Sequence, residues 1–308
     1  MGGAGIGYSR GVEVHLIDGT YELFRHYFAV PKRQGPSGTE VAAVGGVLDS
    51  MLGLLEGGAT HVGVATDREI RSFRNALYDG YKAGEDVEPE LLAQFPILET
   101  VLEAAGFTVF PMVEHEADDA MATASAIAER DERVSKVWIC TPDKDLAQCV
   151  VDPRVVQFDR RQELEYDEAG VMEKFGVRPE SIPDYLGLMG DSADGFPGLP
   201  GWGAKSASTV LAHYGHLEAI PDDVEEWAVK VRGAARLAET LASERATAVL
   251  FRRIATLVRD VPGFGGVDDW EWRGPTEEIE KVCVALGRPQ VAERVWRIAE
   301  TRAREVDA

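Results

Sequence analysis

The chain has 308 residues, of which 45% are hydrophobic and 28% charged, and its formal net charge at pH 7 is −21. This charge excludes a protein that holds nucleic acid by overall electrostatic attraction, so any such contact must use local basic patches. No apolar run is long enough to cross a bilayer, and the start MGGAGIGYSRG lacks the pattern of a secretory signal. We expect a soluble cytoplasmic protein whose three cysteines are buried free thiols.

Short apolar runs alternate with helical periodicity up to about residue 160, which is typical of βαβ units and a mostly parallel sheet. We predict strands at 12–17, 60–66, 107–110, 137–140 and 155–158, and helices at 39–57, 90–105 and 117–129. Beyond residue 165 the strand pattern fades, and longer helices are predicted at 235–256 and 277–304. The fold class is therefore α/β, with a mostly parallel central sheet flanked by helices and followed by a helical part.

Acidic side chains follow several of these predicted strands. Asp18 and Asp67 come where two apolar runs stop, and Asp143 and Asp145 follow a third. Because the carboxyl ends of parallel strands converge on one crevice, these groups can meet there. All-oxygen ligands select hard ions such as Mg²⁺ or Mn²⁺. The sequence predicts a metal site built from Asp18, Asp67, Glu116, Asp118, Asp119, Asp143, Asp145, Asp191 and Asp194.

Some of these acids have a simpler explanation when each cluster is taken alone. Glu116, Asp118 and Asp119 open a predicted helix, where acidic side chains also suit the helix dipole. That explanation does not cover Asp143 and Asp145, which alternate around a lysine just past a strand. The set as a whole therefore favours the metal site.

The polar segment 69–90 lies between a predicted strand end and a predicted core helix, and we expect it to be too polar for burial. Its basic and aromatic side chains interleave, as in a surface that meets phosphates and stacked bases. They are Arg71, Phe73, Arg74, Tyr78, Tyr81 and Lys82. An ordinary solvated helix with a few apolar anchors is the alternative.

Glycines at 198, 201 and 203 precede a predicted helix that carries Lys205 and Ser206. Backbone N–H groups at such a helix start can bind phosphate without reading bases. The spacing matches neither GxGxxG nor GxxxxGK[ST], which argues against a nucleotide-binding loop. A plain helix–turn–helix is the alternative.

The blocks LIDGTYELFRHYFA, RSFRNALYDGYKAG, EHEADD, TPDKDL and GDSADGFPGLPGWGAKSA occur in this order. They resemble blocks of the bacterial 5′-nuclease family, which includes the 5′-nuclease domain of DNA polymerase I and stand-alone flap endonucleases. The chain resembles a free-standing member. The resemblance implies a PIN-like core, a two-metal site, an arch over that site and a helix–three-turn–helix element that binds duplex DNA with a potassium ion.

The resemblance also implies roles for single residues. Asp18, Asp67, Glu116, Asp118 and Asp119 would serve one divalent metal, and Asp143, Asp145, Asp191 and Asp194 a second. Arg74 and Lys82 would contact the scissile phosphate. Potassium would bind the backbone carbonyls of Leu188, Met189, Pro197, Leu199 and Trp202, and DNA would meet Arg71, Tyr81, Gly201, Gly203, Lys205 and Ser206. Trp202 replaces the family's usual isoleucine and would enlarge the tip that faces the DNA.

These inferences give an expected activity and domain plan. We expect a 5′-3′ exonuclease and flap endonuclease of DNA replication and repair, using two or three Mg²⁺ or Mn²⁺ ions. It would act as a monomer, away from membranes, on DNA with 5′ ends, flaps, nicks or gaps. The plan is a flexible tail 1–11, a nuclease core 12–179 with the arch near 69–90, a helical DNA-binding subdomain 180–260, and a segment 261–308 that packs on the core.

Two other classes of protein share some of these features. A PIN-like ribonuclease has the same sheet and acidic crevice, but an element at 186–211 that grips duplex backbone is of little use on single-stranded RNA. A non-catalytic protein that binds branched DNA would not need all of the acidic residues of the predicted metal site.

Overall fold

The computed structural model describes residues 11–85 and 87–306, so the expected tail lies almost entirely outside the described residues. Within these ranges the strands are β1 (Val12–Asp18), β2 (His61–Asp67), β3 (Thr108–Met112), β4 (Val134–Cys140), β5 (Val155–Asp159) and β6 (Leu164–Tyr166). They form one sheet in the order β3-β2-β1-β4-β5-β6. All neighbours are parallel except β5 and β6. The predicted mostly parallel sheet is confirmed.

Helices cover both faces of the sheet and are the main regular structure in the second half of the chain. In chain order they are α1 (Gly19–Ala29), α2 (Ala42–Glu56), α3 (Pro89–Leu92), α4 (Phe95–Ala104), α5 (Ala117–Arg130), α6 (Glu168–Phe175), α7 (Ile182–Met189), α8 (Ala204–Tyr214), α9 (Ala234–Ala255), α10 (Ile279–Ala285) and α11 (Gln290–Val306). Within the ranges the structure describes, none of them combines the length and apolar character that crossing a membrane requires.

Each face of the sheet is covered because the helices present apolar side chains at helical spacing. In α2, Val44, Val47, Leu48 and Met51 are fully buried, and they pack with α4, α10 and α11 on one face. On the other face α5 contributes an alanine-rich surface that allows close approach to the strands. Both faces of the sheet are therefore packed, and this packing positions the residues at its strand ends.

The helical half has its own core and a close contact with the segment after β2. Phe196, Leu186 and Phe251 belong to this core, together with Tyr81. The Lys82 N–H donates to the Asp194 carbonyl at 2.9 Å. Gly195 has φ +86°, and a Cβ there would lie 2.3 Å from the Gly80 oxygen, so only glycine fits. The segment at 69–85 is thus fastened to the loop after α7.

Several elements differ from the predicted ones. Helix α1 and strand β6 were not predicted, and α10 and α11 are two helices where one was predicted, because Gly287 (φ +68°) and Pro289 interrupt the run. The expectation that segment 69–90 is too polar for burial is wrong for two side chains: Arg74 is 1% and Tyr81 is 4% exposed, whereas its other described residues are exposed or half-buried. Among its described residues, the regular structure before α3 is a short 3₁₀ helix, Phe73–Ala76.

Candidate active site

The acidic crevice lies where the order of the strands reverses. From β1 the chain builds β2 and β3 on one side, and β4 and β5 extend the sheet on the other. Ligands of open α/β sheets bind at such a point, beyond the carboxyl ends of the strands. Asp18 and Asp67 are the last residues of β1 and β2, and Asp143 follows β4. The sheet topology therefore brings together acids that are far apart in sequence.

One group of acids, Asp18, Asp67, Asp118 and Asp143, lines a cavity of about 480 Å³. The Thr141 hydroxyl donates to Asp18 Oδ2 at 2.9 Å, and the Ala117 N–H donates to Asp67 Oδ1 at 2.7 Å. These bonds fix the carboxylates without supplying a positive charge. We call these four acids the first group.

A second group consists of Asp145, Asp191 and Asp194. Each offers a carboxylate oxygen, and the three oxygens lie within 4.8 Å of one another. Asp145 Oδ1 is buried and has no hydrogen-bond partner among the described residues. A buried carboxylate oxygen without a donor costs free energy unless a cation binds it. The second group therefore fits a metal ion on the evidence of its own geometry.

The pKa values in the crevice show uncompensated negative charge. Burial, together with the charges of Asp67 and Asp143, raises the pKa of Asp18 to about 7. Burial and the charge of Glu116 raise the pKa of Asp67 to about 6, although Lys82 opposes this. Burial and neighbouring acids also hold the pKa values of Asp118 and Asp145 well above the usual range. Bound cations would relieve this repulsion.

The raised pKa of Asp18 predicts how the metal-free protein responds to pH. The folded-state pKa of about 7 exceeds the unfolded value of about 3.9, so folding binds protons between these values and stability falls as pH rises through 7. His15, whose pKa burial lowers to about 4, acts in the opposite direction. We therefore expect Asp18→Asn to gain thermal stability relative to the wild type as pH rises from 5 to 8 in EDTA. A constant difference between their melting temperatures would contradict this.

Arg74 and Asp119 form a buried ion pair behind the crevice. Arg74 Nη1 lies 2.7 Å from Asp119 Oδ2, and Nη2 lies 2.7 Å from Oδ1. The same carboxylate accepts from the N–H groups of Glu116 and Val258. The Arg74 Nε also donates to the Ile254 carbonyl. Arg74 therefore does not reach the open crevice, where its predicted contact with the phosphate would lie. Asp119, a predicted metal ligand, is surrounded by hydrogen-bond donors of the protein.

Glu116 connects this ion pair to Lys82. It accepts from the hydroxyls of Ser72 at 2.6 Å and Tyr81 at 2.9 Å, and Lys82 Nζ lies 3.1 Å from its Oε2. Burial opposes ionisation of Glu116, but Lys82 and Arg74 outweigh it and lower its pKa. Tyr81, predicted to contact DNA, is buried with its hydroxyl on Glu116. Glu116 and Tyr81 therefore lie inside the protein, next to the first group.

Lys82 and Arg71 do face open space. Both line a cavity of about 750 Å³ that adjoins the first group through Thr20, Phe24 and Asp67. The Arg71 side chain is 68% exposed and pairs with Glu85 at 3.3 Å. Among the predicted phosphate and DNA contacts in segment 69–90, these two have the exposure that the role requires.

The loop between α7 and α8 has its backbone folded closely on itself. The Leu199 N–H donates to the Leu188 carbonyl at 2.9 Å, and the Trp202 N–H donates to the Leu199 carbonyl at 3.1 Å. A Cβ on Gly198 (φ +67°) would lie 2.4 Å from the carbonyl carbon of Met189. The backbone segments that carry Leu188, Met189 and Leu199, whose carbonyls are predicted to bind potassium, are thus in contact in this loop, with Pro197 preceding Gly198.

The rest of this region presents small and basic groups at the start of α8. Gly201 has φ +85° and is exposed, as is Lys205. The Gly203 N–H donates to Ser206 Oγ at 3.0 Å. The Trp202 side chain is only 7% exposed, and its Nε1 donates to the Leu237 carbonyl. The Trp202 side chain therefore points into the helical core, and the expectation that it enlarges the exposed tip is wrong.

Sequence reasoning missed several residues that shape the crevice. Thr141 and Ser72 donate to Asp18 and Glu116, and the Thr20 hydroxyl accepts from the Asp67 N–H. Lys144 Nζ lies 2.6 Å from Asp191 Oδ2. The position of Lys144 between Asp143 and Asp145 was the available signal, since a lysine inside an acidic motif must either face away or neutralise a neighbour.

Comparison with known proteins places this fold and site in a family. Residues 13–176 match the family model for the 5'-3' exonuclease, N-terminal resolvase-like domain, and residues 177–278 match that for the 5'-3' exonuclease, C-terminal SAM fold. The chain is 35% identical to DNA polymerase I of Bacillus caldotenax over 276 residues, covering 88% of this chain and 30% of that protein. It is 32% identical to DNA polymerase I of Bacillus subtilis, covering 91% and 32%.

Solved structures show the same fold at lower identity. Zinc-bound 5'-exonuclease of bacteriophage T5 gives a TM-score of 0.62 at 18% identity, with 94% of this chain and 98% of that chain covered. A flap endonuclease of the same phage, solved with DNA and metal ions, gives 0.64 at 18% identity, covering 94% and 99%. Flap endonuclease-1 from Methanococcus jannaschii gives 0.57 at 18% identity, covering 95% and 94%.

The chain belongs to the 5'-3' exonuclease family, and the predicted resemblance and fold class are confirmed. It spans about 30% of the length of the polymerase that it matches from Bacillus caldotenax.

Proposed function

We propose that this protein is a metal-dependent, structure-specific 5′ nuclease that hydrolyses DNA phosphodiesters. The observation that carries the proposal is the acidic crevice at the strand ends, in a chain that matches both domains of the 5'-3' exonuclease family. We infer a 5′-3′ exonuclease and flap endonuclease that acts on 5′ ends, flaps, nicks and gaps in replication and repair. Its buried free cysteines support a reducing cytoplasm.

Two divalent ions, Mg²⁺ or Mn²⁺, fit the two groups of acids. Asp18, Asp67, Asp118 and Asp143 would hold one, and Asp145, Asp191 and Asp194 the other. Such ions supply a water nucleophile at neutral pH and stabilise the attacking and leaving oxygens. We assign Asp119 and Glu116 a different role, because in the described structure neither lines the two cavities of the crevice and the buried Arg74 pairs with both. Both pair with Arg74, and Glu116 also holds Lys82 in place.

Lys82 is the side chain that we assign to the scissile phosphate. Its Nζ lies between Glu116 and Asp194, at 3.1 and 2.9 Å, and it lines both cavities. Charge accumulates on the phosphate during hydrolysis, so a fixed ammonium there stabilises the transition state more than the bound substrate. Arg74 acts indirectly, by positioning Asp119 and Glu116.

Replacement of Lys82 by Ala should lower the single-turnover cleavage rate by about a hundredfold or more. Its affinity for DNA should change less, because the start of α8 and Arg71 would still contact the DNA backbone. Rapid-quench measurement at saturating enzyme would separate the two effects. Lys205→Ala is the matched control, since Lys205 lies at the exposed start of α8 and should weaken binding with little change in that rate. A lower affinity for Lys82→Ala with an unchanged rate at saturation would limit Lys82 to binding.

The helical half is the part to which we assign duplex binding. The exposed start of α8, with Gly201, Gly203, Lys205 and Ser206, can meet a phosphate backbone through N–H groups. The clustered carbonyls of the preceding loop fit a potassium ion, since each carbonyl oxygen has a second lone pair. The net charge of −21 means that such contacts are few, and we infer a shallow dependence of affinity on salt.

The proposal is tested by comparing labelled substrates with and without Mg²⁺. A 5′ flap, a nicked duplex, a gapped duplex and a single-stranded RNA of the same sequence would be incubated with the purified protein. We expect Mg²⁺-dependent cleavage near the junction of the DNA substrates and none in EDTA. Preference for the single-stranded RNA would favour a ribonuclease. Binding of flap DNA without cleavage of any substrate would favour a non-catalytic DNA-binding protein.

A further inference from the structure

Two lysines are paired with acids of the second group. Lys144 Nζ lies 2.6 Å from Asp191 Oδ2, and Lys82 Nζ lies 2.9 Å from Asp194 Oδ1. Asp145 has a buried oxygen that no described residue binds. The group therefore contains one carboxylate with an oxygen ready for a cation and two that already have lysine partners.

Lys144 is placed so that it can leave Asp191. Its backbone lies between Asp143 and Asp145, just before a short 3₁₀ helix, and it lines the cavity of the first group. The Lys144 side chain is 31% exposed, whereas that of Asp191 is 2% exposed. Asp191 is also fixed by the Ala193 N–H, which donates to its Oδ1 at 2.9 Å. The ammonium can therefore move within the open crevice while the carboxylate stays in place.

An ammonium and a divalent ion compete for the same carboxylate. A divalent ion binds through direct contacts with oxygen, and the oxygen of Asp191 nearest to Lys144 is already in a short ion pair. Two cations within a few ångströms of each other repel strongly where water is largely excluded. Coupling between two such binding events is reciprocal. Lys144 therefore lowers the affinity of the site for the metal by the same factor by which the bound metal weakens the ion pair of Lys144 with Asp191.

We propose that Lys144 is an internal counter-ion of the second group, which a divalent ion must displace from Asp191 in order to bind. The inference rests on the proposed function, since it concerns the same metal site. In the metal-free protein Lys144 neutralises Asp191 and limits the repulsion among the acids. Once displaced, its ammonium remains in the crevice and is free to contact a phosphate of the substrate. Metal loading and substrate contact are thereby linked through one side chain.

The first test measures Mn²⁺ binding by electron paramagnetic resonance, without DNA. Lys144→Met should bind Mn²⁺ at one site about tenfold more tightly than the wild type does. Lys144→Arg keeps the charge and should stay close to the wild type. Lys281→Met is the matched control, because Lys281 is an exposed lysine of α10 that pairs with Glu278 on the surface. Unchanged or weaker Mn²⁺ binding by a folded Lys144→Met protein would overturn the inference.

A second test places the effect on Asp191. Asp191→Asn should weaken one Mn²⁺ site, and Lys144→Met in that background should add no further change, because the two residues act as a pair. An unchanged tenfold gain in the double variant would place the effect of Lys144 elsewhere and overturn the inference.

A third test follows the wild-type protein as the metal binds, so its outcome does not rest on the metal affinity of a variant. With lysine labelled at Nζ by ¹⁵N, the Lys144 signal, assigned by its loss in Lys144→Arg, should shift as Mg²⁺ is added. A signal that does not move while Mg²⁺ binds would also overturn the inference. Failure of the wild type to bind divalent ions at all would instead remove the proposed function.

Discussion

Replacement of Asp145 by Asn is expected to lower Mg²⁺-dependent cleavage of a 5′ flap by more than about a hundredfold, which exceeds the effect of losing an outer-shell partner of a metal. Asp145 carries the buried oxygen without a partner, and its pKa is held well above the usual range by burial and by Asp143 and Asp194. The substitution removes a ligand and also removes part of the repulsion. We therefore expect the metal-free protein to keep or gain thermal stability while it loses activity.

A single-turnover cleavage assay and a thermal melt in EDTA check the two halves of this prediction. Asp268→Asn is the matched control, since Asp268 is 65% exposed and pairs with Arg133 on the surface. It should leave both quantities close to those of the wild type. A folded Asp145→Asn protein with near wild-type cleavage would exclude Asp145 as a metal ligand.

Replacement of Arg74 by Met is expected to destabilise the protein by about 3–5 kcal/mol, because it leaves the buried Asp119 carboxylate without its ion pair. Arg74 is 1% exposed, and within the described residues its side-chain hydrogen bonds go to Asp119, Glu116 and backbone carbonyls. The loss should appear as a lower midpoint in urea unfolding. Cleavage should fall as well, because Glu116 loses its ion pair with Arg74 and Glu116 in turn positions Lys82.

Two further variants separate this structural role from a direct contact with substrate. Asp119→Asn in the Arg74→Met background should recover part of the lost stability, since it removes the unpaired charge and keeps an acceptor. Arg71→Met changes an exposed arginine of the same segment and should leave stability almost unchanged. If Arg74→Met unfolds at the wild-type midpoint and loses only its cleavage rate, then Arg74 acts on the substrate, as the resemblance first implied.

The sheet and the position of its acids could be predicted because they depend on local patterns. The apolar runs before Asp18, Asp67 and Asp143 specify strands, and parallel strands align their carboxyl ends whatever the rest of the chain does. Helix α2 follows from its apolar spacing in the same way. These parts of the site required no knowledge of distant partners.

The parts that could not be predicted depend on pairs that are distant in the chain. Arg74 is buried because Asp119, 45 positions later, neutralises it with two hydrogen bonds. Tyr81 is buried because Glu116 accepts a hydrogen bond from its hydroxyl. A local sequence pattern predicts that both side chains are exposed, since it does not contain the distant partner that makes burial favourable. Trp202 turns inward for a similar reason, as Leu237 supplies an acceptor for its indole N–H.

The most direct test of the account is an anomalous diffraction map of crystals soaked in Mn²⁺. We predict one peak within coordination distance of carboxylates of the first group and one among Asp145, Asp191 and Asp194, with Lys144 moved away from Asp191. Asp119 should remain paired with Arg74, without metal. A protein that cleaves a 5′ flap, yet shows Mn²⁺ peaks only away from both groups of acids, would contradict the central claim that this crevice is the hydrolytic metal site.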